Sequence, residues 1–229
     1  MRGSEARITI LGKRAVISIS DAVRNTSRRR FSIAHELGHL EMHRSGSSLA
    51  MCTEGDISES GTNVSKGRER EANIFAASLL MPRRFFAPMC YNREPTLDAI
   101  SDLAKAFRTS FTATGIRYMQ YAQEAAALLY SKDGVIRWRN SSSAFDSLEL
   151  YIPVGERLDQ GTLASLYLRN GTIPSGPKHV LASTWIESSH CKKGAKILEH
   201  SRYMPGLNGI VTVLWVDDDI LDEDYYDQL

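Results

Sequence analysis

Cysteine is scarce in this chain: Cys52, Cys90 and Cys191 are its three, they stand far apart, and they form no C-x-x-C pair. That excludes a cysteine zinc knot and a disulfide framework, and it suits a reducing compartment. No apolar run reaches the ~20 residues needed to cross a bilayer, and the N-terminus lacks the apolar stretch of a signal peptide. The expected location is the cytoplasm, with no membrane partner. Charge of one sign is lacking as well, since 28 lysines and arginines offset 27 aspartates and glutamates to leave a formal net charge of +1. No overall field recruits nucleic acid or a lipid surface. The ends differ, with Arg24, Arg28, Arg29 and Arg30 early and Asp217, Asp218, Asp219, Asp222, Glu223, Asp224 and Asp227 at the close. Both runs read as solvated surface. Internal repeats and low-complexity linkers are missing too. The opening Met1-Arg2-Gly3-Ser4 resembles the start of common expression tags and is given no functional weight.

What is present is globular. The 229 residues, 42% hydrophobic and 24% charged, suffice for one or two domains with cores of their own. From Arg14 to Ser20, Ala15, Ile17 and Ile19 alternate with Val16, Ser18 and Ser20, the pattern of a half-buried strand. Asn25, Thr26 and Ser27 then offer N-caps to a helix. The polar stretch from Ser45 to Gly67 reads as a loop with at most a short strand. A second helix is predicted from about Gly67 to Met81, stopped by Pro82. Two more follow, with Leu97, Ile100, Leu103, Ala104 and Phe107, and then Ala113, Ile116 and Met119, at helical spacing. Beyond about Ala125 strand-like runs dominate: a hairpin turning at Asp133-Gly134, strands over 178–187, 195–204 and 209–218, and one helix ending at Asn170-Gly171. The expected class is α+β with a mainly antiparallel sheet, divided into residues 1–124 and 125–229.

The stretch RRRFSIAHELGHLEMHR, positions 28 to 44, concentrates the chemistry. At ~100° per residue, His35, Glu36, His39 and His43 fall within an arc of about 100°, while Ile33, Ala34, Leu37, Gly38 and Leu40 cover most of the rest. The helix is therefore expected to be buried nearly all round, and buried histidines beside a carboxylate require a reason. Zinc supplies one: His35 and His39, at i and i+4, can both place a nitrogen ~2.0 to 2.1 Å from a single ion. Glu36 would lie beside the ion without binding it, placed to take a proton from water and pass it to a leaving amine. His43 is eight residues from His35, ~12 Å along the axis, so it cannot join both others at one ion. A contact at the helix terminus or behind the ligands suits it better. A third ligand is still needed, and Cys52, Glu54, Asp56, Glu59, Glu69 and Glu71 are the candidates. Within EREANIFAASLLMP, Ala72, Ala76, Leu79 and Leu80 form the apolar stripe. Glu69 and Asn73 project along that stripe, whereas Glu71 points away from it.

These two stretches resemble the ImmA/IrrE family of metallopeptidases. RRRFSIAHELGHLEMH is similar to that family's RxRFTxAHELGHxxLH, and EREANIFAASLLMP to its ExxANxFAAxLLMP, in the same order and at a compatible separation, covering about residues 14 to 120. The resemblance implies that His35, His39 and Glu69 bind zinc, that Glu36 is general base and acid, and that Asn73 supports the ligands from the same helix face. It implies a zincin-like, gluzincin-type helical core with a small sheet and helix-turn-helix-like helices; some members carry a C-terminal GAF-like or otherwise sensory domain, and the antiparallel α+β second half read from the residues is a candidate for one. Family members cleave or inactivate helix-turn-helix repressors and so release stress-response or mobile-element genes, which makes such a repressor the implied protein substrate. Further helical sequence ordinarily precedes the strand before the metal helix in the family, so the chain is expected to be truncated or to begin atypically.

Two readings compete. In one, the chain is a transcription regulator that binds DNA through LAKAFRTSFTATGIRY and holds a purely structural metal, but the recognition helix after Thr109 offers only Arg117 as a strong base or phosphate reader, and Gly115 weakens that helix. In the other, it binds metal as a catalytically silent interaction module, since no oxyanion-stabilising residue stands out beyond the candidates Tyr91, Tyr118 and His43. His179, His190 and His200 show no ligand spacing.

Overall fold

The computed structural model describes residues 4–11, 14–43, 51–53, 63–188, 191–216 and 220–221. The chain divides into two compact units, residues 1–86 with 104–113, and residues 87–103 with 114–229.

The first unit is built on a three-stranded antiparallel sheet of β1 (Ser4–Leu11), β2 (Arg14–Ile19) and β3 (Met51–Thr53), in the order β2-β1-β3. The sequence pattern does not reveal the central strand β1, because its inward face mixes Ala6 and Ile8 with a buried carboxylate nearby, Glu5. As the edge strand, β2 does not alternate as predicted: Arg14 to Val16 are exposed and Ile17 to Ile19 half-buried. Helix α1 (Thr26–Met42) starts where the caps suggest, the Asn25 side chain accepting from the Arg28 N–H at 3.1 Å. Its neighbouring arginines are not merely solvated. Arg28 pairs with Glu5, Arg29 donates to the Val23 carbonyl at 3.2 Å, and Arg30 donates to the carbonyls of Phe107 and Arg108 at 2.9 and 2.7 Å.

Helix α2 (Asn63–Leu80) begins earlier than predicted and lies against α1. The approach is close at Gly38, where an added Cβ would stand 3.0 Å from the Ala72 Cα and 3.2 Å from the Phe75 Cβ. Ala72 and Ala76 are fully buried, as the stripe requires, but Leu79 is half exposed and lies off it. Pro82 ends α2 and also opens an unpredicted helix, α3 (Arg83–Cys90), because its carbonyl accepts from the Phe86 N–H at 2.9 Å. Helices α4 (Leu97–Phe107) and α5 (Phe111–Met119) follow as expected. The boundary between the units falls within α3, α4 and α5.

In the second unit, β4 (Ala125–Lys132), β5 (Val135–Ser141), β6 (Lys178–Leu181), β7 (Lys196–Met204) and β8 (Gly209–Val216) form an antiparallel sheet in the order β5-β4-β8-β7-β6. The β4–β5 turn places Asp133 and Gly134 at φ 54° and 75°, the mirror-image turn that matches strand twist. Short α6 (Ser143–Ser147) and α7 (Leu163–Asn170) accompany the sheet, and α7 ends at Gly171 with φ 71°. The strand expected over 178–187 stops at Leu181 and gives way to a 3-10 turn at Ala182–Thr184. That turn carries Trp185 to its partner, Glu199, whose buried carboxylate also accepts from the N–H groups of Leu163 and Ala164 and from Ser201 Oγ. One side chain thus joins β7, the start of α7 and the 3-10 turn. Leu129, Phe145, Ile152, Ile197 and Leu214 lie in the core around it. The chain is α+β, and among the described residues no helix is long and apolar enough to cross a membrane.

Candidate metal centre

Among the described residues, helices α1 and α2 build the centre. On α1 the buried residues are Ser32, Ala34, His35, Glu36, Gly38 and His39. The aliphatic residues behave otherwise than the all-round burial predicted: Ile33 is exposed, and Leu37 and Leu40 are only half-buried. The arc of ionisable groups is therefore the inward face of this helix. Gly38, read from the sequence only as part of the apolar surround, sits between the two histidine turns and lets α2 come near. A glycine inside a helix costs about 1 kcal/mol relative to alanine, and that cost is the signal that packing explains its presence.

His35 Nε2 and His39 Nε2 are 3.0 Å apart, and the Glu69 carboxylate reaches them at 3.0 and 3.2 Å. Behind this cluster, His35 Nδ1 lies 2.9 Å from Asn73 Oδ1. An amide oxygen only accepts, so the Nδ1 of His35 carries the hydrogen and its Nε2 presents a lone pair. Two imidazole nitrogens and a carboxylate oxygen then converge on one point, and their ligand atoms all lie within 4.8 Å of one another. A cation is what such a set of acceptors fits. Burial raises the Glu69 carboxyl, and when both histidines are instead protonated, with their Nε2 atoms donating, hydrogen bonds and charge from His35 and His39 outweigh it and hold the group at about 2.

Glu36 is fully buried, with both carboxylate oxygens out of reach of solvent. His43 caps the end of α1, its N–H donating to the His39 carbonyl at 2.9 Å; its ring lies 5.5 Å from that of His39 and its Nε2 3.5 Å from Glu71, outside the three-donor group. The Glu71 side chain is 60% exposed against 18% for Glu69. Glu54, Asp56, Glu59 and the side chain of Cys52 lie outside the described residues, as do His190 and the acidic run of Asp217 to Asp219 and beyond. Tyr118 is fully buried and donates to the Arg93 carbonyl at 2.6 Å, so its hydroxyl is engaged within the second unit; Tyr91 is exposed. Arg117, the candidate DNA reader, is buried to 8% exposure, donates to Gln120 and stacks over Tyr121.

Two histidines one turn apart, with a glutamate after the first and a carboxylate supplied by a second helix, define a protein of the His-Glu-x-x-His metal-binding class. Residues 1–119, more than half of the chain, match the IrrE N-terminal-like domain, and the chain belongs to this peptidase family, the ImmA/IrrE metallopeptidases. It is similar to the radiation response metalloprotease IrrE of Deinococcus radiodurans, at 28% identity over 202 residues that make up 85% of this chain and 56% of that protein. A Mycobacterium tuberculosis transcriptional regulator shares the fold at a TM-score of 0.56 and 16% identity, over 95% of this chain and 63% of that one. The chain thus spans less than two thirds of the length of either relative.

Proposed function

We propose that the protein is a zinc-dependent endopeptidase whose ion is held by His35, His39 and Glu69 and whose proton carrier is Glu36. The observation that carries this reading is the convergence of the three donors, with the His35 tautomer held by Asn73. A bound zinc ion supplies Lewis-acid polarisation of a peptide carbonyl and acidifies water toward a pKa of ~7. Glu36 follows His35 directly on α1 and shares its buried face. Its carboxylate takes the proton of the attacking water, holds it on an oxygen shielded from solvent, and delivers it to the departing amine. Among the described residues β2 is an edge strand, along whose backbone an extended substrate can lie.

The substrate class in this reading is a helix-turn-helix repressor, whose cleavage or inactivation releases stress-response or mobile-element genes in the cytoplasm. The second unit, with its antiparallel sheet, takes the sensory, GAF-like part. What supports the repressor is the family membership; what speaks against direct DNA reading by the chain itself is the engagement of Arg117 with Gln120 and Tyr121. The test is a search for a helix-turn-helix repressor gene neighbouring this one, then incubation of its purified product with this protein, with and without a chelator, for the parent and for Glu36→Gln. Cleavage that disappears with chelator and with Glu36→Gln, while that variant keeps its metal, is the expected result. Retained turnover by Glu36→Gln would remove its role. Metal held without any turnover by the parent would leave a binding module, and a salt-sensitive complex of the protein alone with duplex DNA would favour the regulator.

A further inference from the structure

We propose that the second unit binds a small planar carboxylate, an aromatic or heteroaromatic acid, in the cleft between α7 with its following turn, β7 and the start of α4. The cleft measures about 450 Å³, within the usual range of small-molecule sites, and lies wholly in the second unit. Its existence does not depend on the metal centre.

Each part of the ligand has a counterpart. Tyr167 of α7 and Tyr203 of β7 stack with ring centroids 4.8 Å apart and 14° between planes, and both line the cleft half-buried beside Ile173. Stacked on one another, they form a rigid aromatic pair whose edges and outer ring face can meet another ring. Next along β7, Arg202 supplies the cation. Its guanidinium is partly exposed and is bound to Asp98, whose side chain is more exposed still, and to Ser101 Oγ at 3.4 Å. An ion pair this open contributes little, so a ligand carboxylate held bidentately can take the place of Asp98. At the buried end, His200 accepts the Leu97 N–H on Nδ1 at 3.3 Å, which leaves Nε2–H as its donor. Burial, and then the charge of Arg202, lower the His200 pKa against the opposing influence of Asp98, which favours the neutral ring and a hydrogen bond over a second charge. One cation, one neutral donor and an aromatic wall select a monoanion with a ring. A cationic ligand would face Arg202, with the carboxylate of Asp98 already engaged.

The full chain is titrated by calorimetry with benzoate, salicylate, nicotinate and indole-3-carboxylate, and with the corresponding amides as neutral isosteres. At least one acid is expected to bind, its amide at least tenfold more weakly. Arg202→Gln should weaken the acid at least tenfold. Asp98→Asn should tighten it severalfold, because it frees the guanidinium from its competitor, an effect that mere support of the fold would not produce. Absence of binding by all four acids, equal binding of acid and amide, or unchanged affinity in Arg202→Gln would overturn the proposal. If Arg202→Gln does not fold, Asp98→Asn decides alone, and weaker or unchanged binding by that variant refutes the site.

Discussion

At the scale of the residue, the two glutamates that flank Arg70 separate cleanly. They differ by ~200° around α2, so at most one can meet the donors of α1. Glu69 lies within 3.2 Å of both histidines, while Glu71 is mostly in water and its carboxylate lies 3.5 Å from His43 at the helix end. Glu69→Ala should therefore be poor in metal and inactive. Glu71→Ala should keep its metal and change stability by no more than ~0.5 kcal/mol. Zinc content after dialysis, measured on both variants, checks this, and the reverse result would mean that the ion is held elsewhere. Residue identities and spacing make this part of the candidate centre legible in the sequence, because a helix converts separation directly into direction. Glu199 was illegible for the opposite reason. Its donors, Leu163, Ala164, Trp185 and Ser201, come from three separate elements, and no local periodicity announces a buried carboxylate inside a strand.

At the scale of the element, two glycines in or against α2 make a matched pair. Gly38 is held against the Ala72 backbone, and a Cβ there would force the helices apart by a few tenths of an ångström. Gly38→Ala is expected to cost about 1–3 kcal/mol and to weaken metal retention, since the ligands sit on the two helices being separated. Gly67 meets nothing within 4 Å, so Gly67→Ala should stabilise by about 0.5–1 kcal/mol and leave metal content unchanged. Chemical denaturation with parallel metal analysis distinguishes the two; equal effects would show that the close approach at Gly38 is unimportant. Elements were legible where their punctuation is local: the Asn25 cap, the Asp133-Gly134 turn and the Gly171 stop all stand where the sequence puts them. Strand β1 and helix α3 were not. The first depends on pairing with β2 and β3, and the second on Pro82 acting as a beginning as well as an end.

At the scale of the whole molecule, composition suggests a division at 124/125, and we propose it for direct test. The compact units group residues 87–103 and 114–124 with the sheet, where the Leu97 N–H meets His200 and Gly115 lies against Leu128. A fragment of residues 1–124 that folds and keeps stoichiometric metal would uphold the division. A fragment 1–124 that melts without cooperativity and loses its metal would reject it, since the compact units interleave, residues 104–113 going with 1–86 and residues 87–103 with the sheet. Thermal melts and metal analysis on that fragment and on the full chain are sufficient. Such a boundary is hard to read from sequence because α3, α4 and α5 each contribute to both units, leaving no linker of distinctive composition.

The donor set of the centre also bears on where its ion comes from. Two imidazoles and a carboxylate include no thiolate, so nothing in them singles out one first-row divalent ion, and intrinsic affinity follows the general order in which copper exceeds zinc and zinc exceeds manganese. On the proposed reading, the ion that fills the site would then depend on metal supply together with the geometry the protein imposes. Protein isolated from cultures rich in cobalt should carry that metal at His35, His39 and Glu69, and its visible absorption would report the number of ligands without any substrate. Glu69→Ala should alter that spectrum or abolish it. An unchanged spectrum would place the cobalt at some other site.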